Sequence, residues 1–335
     1  MPSDVPFFVG MVGISLIYLL LIAGTFGSMT SYATLEHISK AMASENVRFA
    51  IRLSLITCTI STILSLWVAV PIGYLMSRFE FRGKNVIDTV LDVPIILPPL
   101  VVGLGLLILF QTPLGKAIER VTKYYVGDVA VWGLIVGVVG LGLVAAFRTG
   151  AALRDGRGQP AGPALMLTAA ITIAGVMVAT DLLPVIRHYV HARFATRITH
   201  AVPAVVLAQF MVACAFAVRT MRVTFDQIHP RQEQVALTLG ATRSEAFWMV
   251  VLPQARRGML AAAILAWARS LGEFGPILVF ASATPMRTEV LPTTVWLELQ
   301  TGSLESAAVV SLSMVVVAVF VLVLARVLGL RKSFA

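Results

Sequence analysis

MLAAAILAWARSLGEFGPILVFASA, residues 259–283, carries two charged side chains, Arg269 and Glu273, in an otherwise apolar run. At about 1.5 Å of rise per residue, a helix of this length crosses a hydrocarbon core of about 30 Å. Lipid offers no partner to a backbone N–H or C=O, so a spanning segment must be a helix or a strand of a closed barrel. A continuous apolar run lacks the alternation of barrel strands, and the segment is therefore read as a helix. Seven further stretches have the same character: Val5–Phe26, Leu53–Met76, Val90–Phe110, Val129–Phe147, Ala164–Ile186, Ala201–Val218 and Ala307–Ala325. The expected fold is an all-α polytopic membrane protein with about eight transmembrane helices.

Composition agrees. Of the 335 residues, 58% are hydrophobic and 13% charged, where a soluble domain has roughly a quarter charged. The net charge of +9 would suit a nucleic-acid binder, but the basic residues flank the apolar runs and form no patch interleaved with aromatics, so no nucleic-acid partner is expected. MPSDVPFF at the start has no basic n-region and no A-x-A-like site follows, so the first run is expected to be retained as a span. Cys58 and Cys214 lie in different runs and read as small buried hydrophobes. No G-x-x-x-x-G-K-[ST] loop occurs, since Gly83-Lys84 is followed by Asn85 and Gly115-Lys116 by Ala117. The five histidines fall outside the spans without Cys or carboxylate partners. No catalytic, cofactor-binding or metal-ligating residues are assigned, and the chain is expected not to be an enzyme.

With eight spans both termini lie on one side. Placing them inside puts fifteen Lys and Arg in inside connections against ten outside, with Arg269 in a span, which favours cytoplasmic termini. The longest polar connection, 219–258, is then cytoplasmic. Within it RQEQVALTL reads as a helix stopped by Gly240, a residue suited to the left-handed position past a helix end. Thr242 and Glu245 fit a capping box that starts a second helix through AFWMVVL, which Pro253 ends or kinks. Val235, Leu239, Phe247, Trp248 and Val251 give the pair an apolar face. Such a unit suits either a groove in another protein or the headgroup layer.

EQVALTLGATRSEAFWMVVLP (233–253) resembles the EAA loop of ATP-binding-cassette (ABC) importer permeases in its Glu233, Ala236, Gly240, Ala241, Leu252 and Pro253, with Val235 in place of a usual alanine. SRFEFRGKNVIDTVLDVPIILPPLVVGLGLL (77–107), ARSLGEFG (268–275) and RTEVLPTTVWLELQTGSLESAAVVSLS (287–313) are similar to the molybdate, tungstate and sulfate branch of the type I importers. The resemblance implies a permease core in residues 1–112 and 200–335, interrupted at 113–199 by an insertion with two extra spans. An even insertion keeps the 219–258 loop on the cytoplasmic side. It further implies a multi-pass protein of the cytoplasmic (inner) membrane that acts as a homodimer. Two ABC ATPase subunits would carry the ATP and dock on the loop, and an extracytoplasmic solute-binding protein would deliver an oxyanion, molybdate or tungstate before sulfate. The alternatives are a secondary transporter, or an ABC permease for another small solute.

Candidate pathway or gate residues come from polarity and irregularity inside the spans. Arg269 and Glu273 are four apart on one helix face and can pair, either as a static tie or on a moving element. Gly272, Phe274, Gly275 and Pro276 thin or bend the helix at that level. Asp92, Pro98 and Pro99 mark a second irregular span, where Asp92 either lines the path or sits at the cytoplasmic interface near Arg82 and Lys84. A basic stretch, 187–197, holds His188 and His191 and reads as an amphipathic outer segment.

Overall fold

The computed structural model describes residues 5–120 and 198–331. Before residue 200 the helices are α1 (Val5–Tyr32), α2 (Leu35–Ala43), α3 (Glu45–Arg78), α4 (Lys84–Ile96) and α5 (Pro99–Gln111). After it come α6 (Val202–Gln227), α7 (Pro230–Thr238), α8 (Arg243–Ala246), a π-turn over Phe247–Val251, α9 (Leu252–Leu271), α10 (Gly275–Phe280), α11 (Leu291–Gln300) and α12 (Leu304–Arg331). By contacts the chain forms two compact units, one of Met1–Leu106 with Ala204–Ala335, the other of Leu107–Pro203.

Among the described residues, five helical stretches are long and apolar enough to cross a membrane: Phe7–Tyr32, Glu45–Arg78, Val202–Gln227, Arg243–Leu271 and Leu304–Val323. The expected span Val90–Phe110 is instead two helices, α4 and α5, bent by 109°. The break is chemical: Pro98 disfavours helical geometry at Leu97, which is extended (ψ 139°), and neither Pro98 nor Pro99 has an N–H to continue the ladder. The expected spans Val129–Phe147 and Ala164–Ile186, and the 187–197 stretch, lie outside the described residues, so the count of eight belongs to the sequence reading.

Two further boundaries differ from expectation. The run 259–283 is not one helix, because α9 ends at Leu271 and α10 restarts at Gly275. Pro253 neither ends nor breaks its helix. The chain runs as one helical stretch from Arg243 to Leu271, and the turn just before the proline widens so that the Leu252 N–H reaches back to the Phe247 carbonyl. A π-turn makes room for a ring that has no N–H to offer.

The first unit is held by close helix contacts of small residues. Ala69 of α3, Ala213, Ala217, Met221 and Phe225 of α6 and Ala255, Ala262 and Ala266 of α9 form one buried cluster. At Gly73 a Cβ would meet the Met221 Cβ at 2.9 Å, and at Gly258 it would meet the Thr224 side chain at 2.1 Å. Lipid tails are as apolar as leucine, so packing of this kind, rather than water exclusion, holds membrane helices together. A second cluster of Val47, Cys58, Trp267, Leu271, Leu291 and Val310 joins α3 to α9, α11 and α12. Polar pins cross the interior as well. The Ser61 hydroxyl lies 3.0 Å from the Val206 carbonyl and 3.2 Å from Gln209 Oε1, and the Leu291 N–H donates to Ser54 Oγ at 2.9 Å. Cys58 and Cys214 are free thiols. In the second unit the Ile198 N–H donates to Glu119 Oε1 at 2.6 Å.

Candidate functional site

The 233–253 segment is built from local chemistry. His229 caps α7, and Pro230 occupies its first turn, where a missing N–H costs nothing. At the other end Gly240 has φ +94°. Its N–H donates to the Leu237 carbonyl at 3.1 Å and the Ala241 N–H donates to the Ala236 carbonyl at 3.1 Å. That is the Schellman pattern, which requires a left-handed residue where Gly240 sits. The capping box then restarts the helix: Glu245 Oε2 accepts from the Thr242 N–H at 2.7 Å, and Thr242 Oγ1 accepts from the Glu245 N–H at 3.3 Å. The result is a helix–turn–helix that presents Val235, Leu239, Trp248 and Met249 outward as exposed apolar side chains.

Beneath that face the segment is tied to the bundle. Glu233 accepts from the Tyr74 hydroxyl at 2.5 Å and from Arg78 Nε at 3.3 Å, and Arg78 also donates to the Ile228 carbonyl at 2.8 Å. The Tyr74 ring stands edge-on to Phe247, Phe225 and Phe79, with centroids 4.8, 5.7 and 6.1 Å away. The Arg243 guanidinium lies 5.6 Å over Phe79. Sequence reasoning missed Tyr74 and Arg78. An Arg at the end of a span is indistinguishable, in one sequence, from the ordinary basic flank of a membrane helix.

The irregular stretches of the two candidate spans meet. A Cβ at Gly103 would lie 2.7 Å from the Pro276 Cα and 2.9 Å from its carbonyl oxygen, and one at Gly275 would lie 3.2 Å from the Leu100 nitrogen. The backbone of α10 therefore sits directly on the first turn of α5, beside the Leu97–Pro99 break. Gly272 caps α9, its N–H reaching the Ala268 carbonyl at 3.3 Å. Arg269 and Glu273 pair at 2.6 Å, with Glu273 1% exposed and Arg269 30%. The same guanidinium lies over the Phe216 ring, 5.7 Å from its centroid. Phe274 sits beside Trp296 of α11, centroids 6.3 Å apart.

Asp92 belongs to a different group. It pairs with Arg219 at 3.3 Å, while Asp88 pairs with Arg222. These four, with Asp226, line a cleft of about 250 Å³ between α4 and α6. No cluster of three or more His, Cys, Asp or Glu suited to a metal occurs among the described residues.

Comparison with known proteins decides the family. Residues 69–333 match the model for the binding-protein-dependent transport system inner membrane component. The chain belongs to that family. This permease is 28% identical to a probable molybdenum ABC transporter permease protein of Haloferax volcanii, over 95% of its own length and 87% of the relative's. It is 26% identical to a molybdate/tungstate transport system permease protein of Pyrococcus furiosus, over 74% and 66% of the two chains. A sulfate transport system permease protein of Synechocystis is 23% identical over 96% and 93%. Among solved structures, a bacterial alginate ABC transporter in complex with an alginate-bound periplasmic protein superposes with a TM-score of 0.63 at 13% identity, covering 99% of this permease and 96% of that chain. The permease is thus the membrane-spanning transport subunit of an ABC importer, and the ATPase is a separate subunit. Membership replaces the secondary-transporter alternative.

Proposed function

We propose that the permease imports a tetrahedral oxyanion, molybdate or tungstate in preference to sulfate, as a homodimer served by two ATPase subunits and an extracytoplasmic solute-binding protein. Both termini and the 233–253 segment face the cytoplasm. The observation that carries the coupling reading is the segment itself: a Schellman turn and a capping box hold a rigid helix pair that exposes Leu239 (83%), Met249 (67%), Trp248 (63%) and Val235 (57%). Apolar side chains at that exposure, on a rigid scaffold, suit a groove in another protein. The cargo reading is supported by the molybdenum and molybdate/tungstate permeases among the relatives. The paired break at Leu97–Pro99 and Gly272–Pro276, where helix regularity is lost on both sides of one contact, is the proposed gate, with Arg269 and Glu273 holding the moving end of α9.

The test is reconstitution of the permease with its ATPase and binding protein in proteoliposomes. ATP-dependent uptake of labelled molybdate, competed by tungstate more strongly than by sulfate, is expected. Uptake of sulfate alone would reverse the cargo assignment. Gly240→Val forces a β-branched residue to φ +94° and is expected to abolish co-purification of the ATPase. Retained assembly and retained uptake in that variant would remove the coupling assignment.

A further inference from the structure

We infer that Glu233 is an internal strut rather than a contact for the ATPase. Through Tyr74 and Arg78 it makes α3 move with the 233–253 segment, so that displacement of the segment enters the bundle by α3 as well as along α9. The inference rests on the reading of this segment as the ATPase-coupling element and names the residues that pass its movement on.

Both carboxylate oxygens of Glu233 are engaged within the chain. Oε1 takes the Tyr74 hydroxyl at 2.5 Å and Oε2 takes Arg78 Nε at 3.3 Å. The ion pair is largely shielded, its side chains 9% and 13% exposed. Tyr74 and Arg78 are four residues apart on the last turns of α3, so one carboxylate grips a single helix face at two points. Charge-assisted hydrogen bonds are the stronger kind, and two convergent donors fix direction as well as distance. Arg78 reaches past the carboxylate to the Ile228 carbonyl, 2.8 Å away at the α6–α7 corner. The strut therefore ties α3 both to α7, at Glu233, and to the connection that leads into it, at Ile228.

The surrounding contacts run the same way. Phe247, in the π-turn, packs edge-on to Tyr74 at 4.8 Å, so the second helix of the segment bears on the ring whose hydroxyl holds the first. The exposed side chains of the segment include the apolar four, Val235, Leu239, Trp248 and Met249, together with polar ones such as Gln234, Thr238, Arg243 and Ser244. An approaching subunit meets these exposed side chains, whereas Glu233 is turned inward, its side chain 13% exposed. Besides the strut, α7 is joined to the bundle by the Ile228–His229 corner, by the Gly240 turn and by packing on the π-turn, and the Glu233 contacts give α3 a polar hold on it.

The experiment compares hydrogen exchange in the full complex of permease and ATPase subunits, nucleotide-free and trapped with ATP and orthovanadate. It uses wild type, Glu233→Gln and Tyr74→Phe. In wild type, trapping is expected to change exchange both in 233–253 and in 69–78. In Glu233→Gln the ATPase is expected to co-purify as in wild type and the response of 233–253 to persist, while the response of 69–78 is lost. Tyr74→Phe removes one hydroxyl from a helix that is otherwise unchanged, so it carries the same expectation if Glu233→Gln fails to accumulate. Loss of ATPase co-purification in Glu233→Gln would overturn the inference by making Glu233 a docking contact. A wild-type response at 69–78 in both variants would also overturn it. Failure of the wild-type permease to bring down the ATPase would instead overturn the coupling reading on which the inference rests.

Discussion

Arg269 and Glu273 are unequal partners: the carboxylate is 1% exposed and the guanidinium 30%. Loss of the arginine therefore strands a charge in the interior, whereas neutralising the carboxylate leaves an arginine that still faces Phe216 and a partly open side. Removing one member of a buried pair costs about 3–5 kcal/mol. Arg269→Ala is expected to lower the thermal unfolding midpoint in detergent markedly, and adding Glu273→Gln should recover most of the loss. A double variant no more stable than the single would show that the two side chains are not energetically coupled. Glu289, between α10 and α11, is 2% exposed, and its burial raises its carboxyl above the ordinary range. A carboxyl raised in the folded state favours folding while protonated, and stability falls as pH climbs from the unfolded value through the raised one. Glu289→Gln should thus stabilise the permease at pH 7 and leave it nearly unchanged at pH 4, a difference that thermal melts at the two pH values would read.

Local chemistry made the helices of the 233–253 segment legible in the sequence. Gly240 and the Thr242–Glu245 box act across three to five residues, and both appear where the spacing puts them. Pro253 does not end the helix as one of its two expected effects would have it, because the preceding turn widens into a π-turn and the chain continues to Leu271. Pro98 and Pro99 announced an irregular span, but the 109° bend and its seat under α10 depend on residues about 175 positions away in the sequence. The contact itself gives an element-scale prediction. Gly103→Val would drive a β-branched side chain into the Pro276 backbone, which a bare Cβ already approaches to 2.7 Å, at a cost of roughly 1–3 kcal/mol. If this contact is the gate, transport should fall further than assembly does, read as uptake per co-purified ATPase.

At the scale of the molecule, the permease core was recognisable because its motifs cluster in 77–107, 233–253 and 268–313. The 113–199 stretch carried no such motif, and its role was not legible. Within the second unit, Glu119 and Ile198 meet in one 2.6 Å hydrogen bond, so the two ends of the intervening stretch are close enough to be rejoined. A variant in which 124–193 is replaced by a short Gly-Ser linker removes an expected even number of spans and preserves the sidedness of the rest. It is expected to retain ATPase co-purification, and loss of assembly would make the stretch part of the scaffold. The continuous helical stretch from Arg243 to Leu271 has 29 residues, about 43 Å of rise at 1.5 Å per residue. By carrying Pro253 through a widened turn instead of breaking there, the chain keeps a lever arm with Trp248 near one end and Arg269 near the other. A tilt of about 5° at the near end displaces the far end of such a rod by about 4 Å, comparable to the reach of the hydrogen bonds and close backbone contacts gathered around Gly272–Pro276.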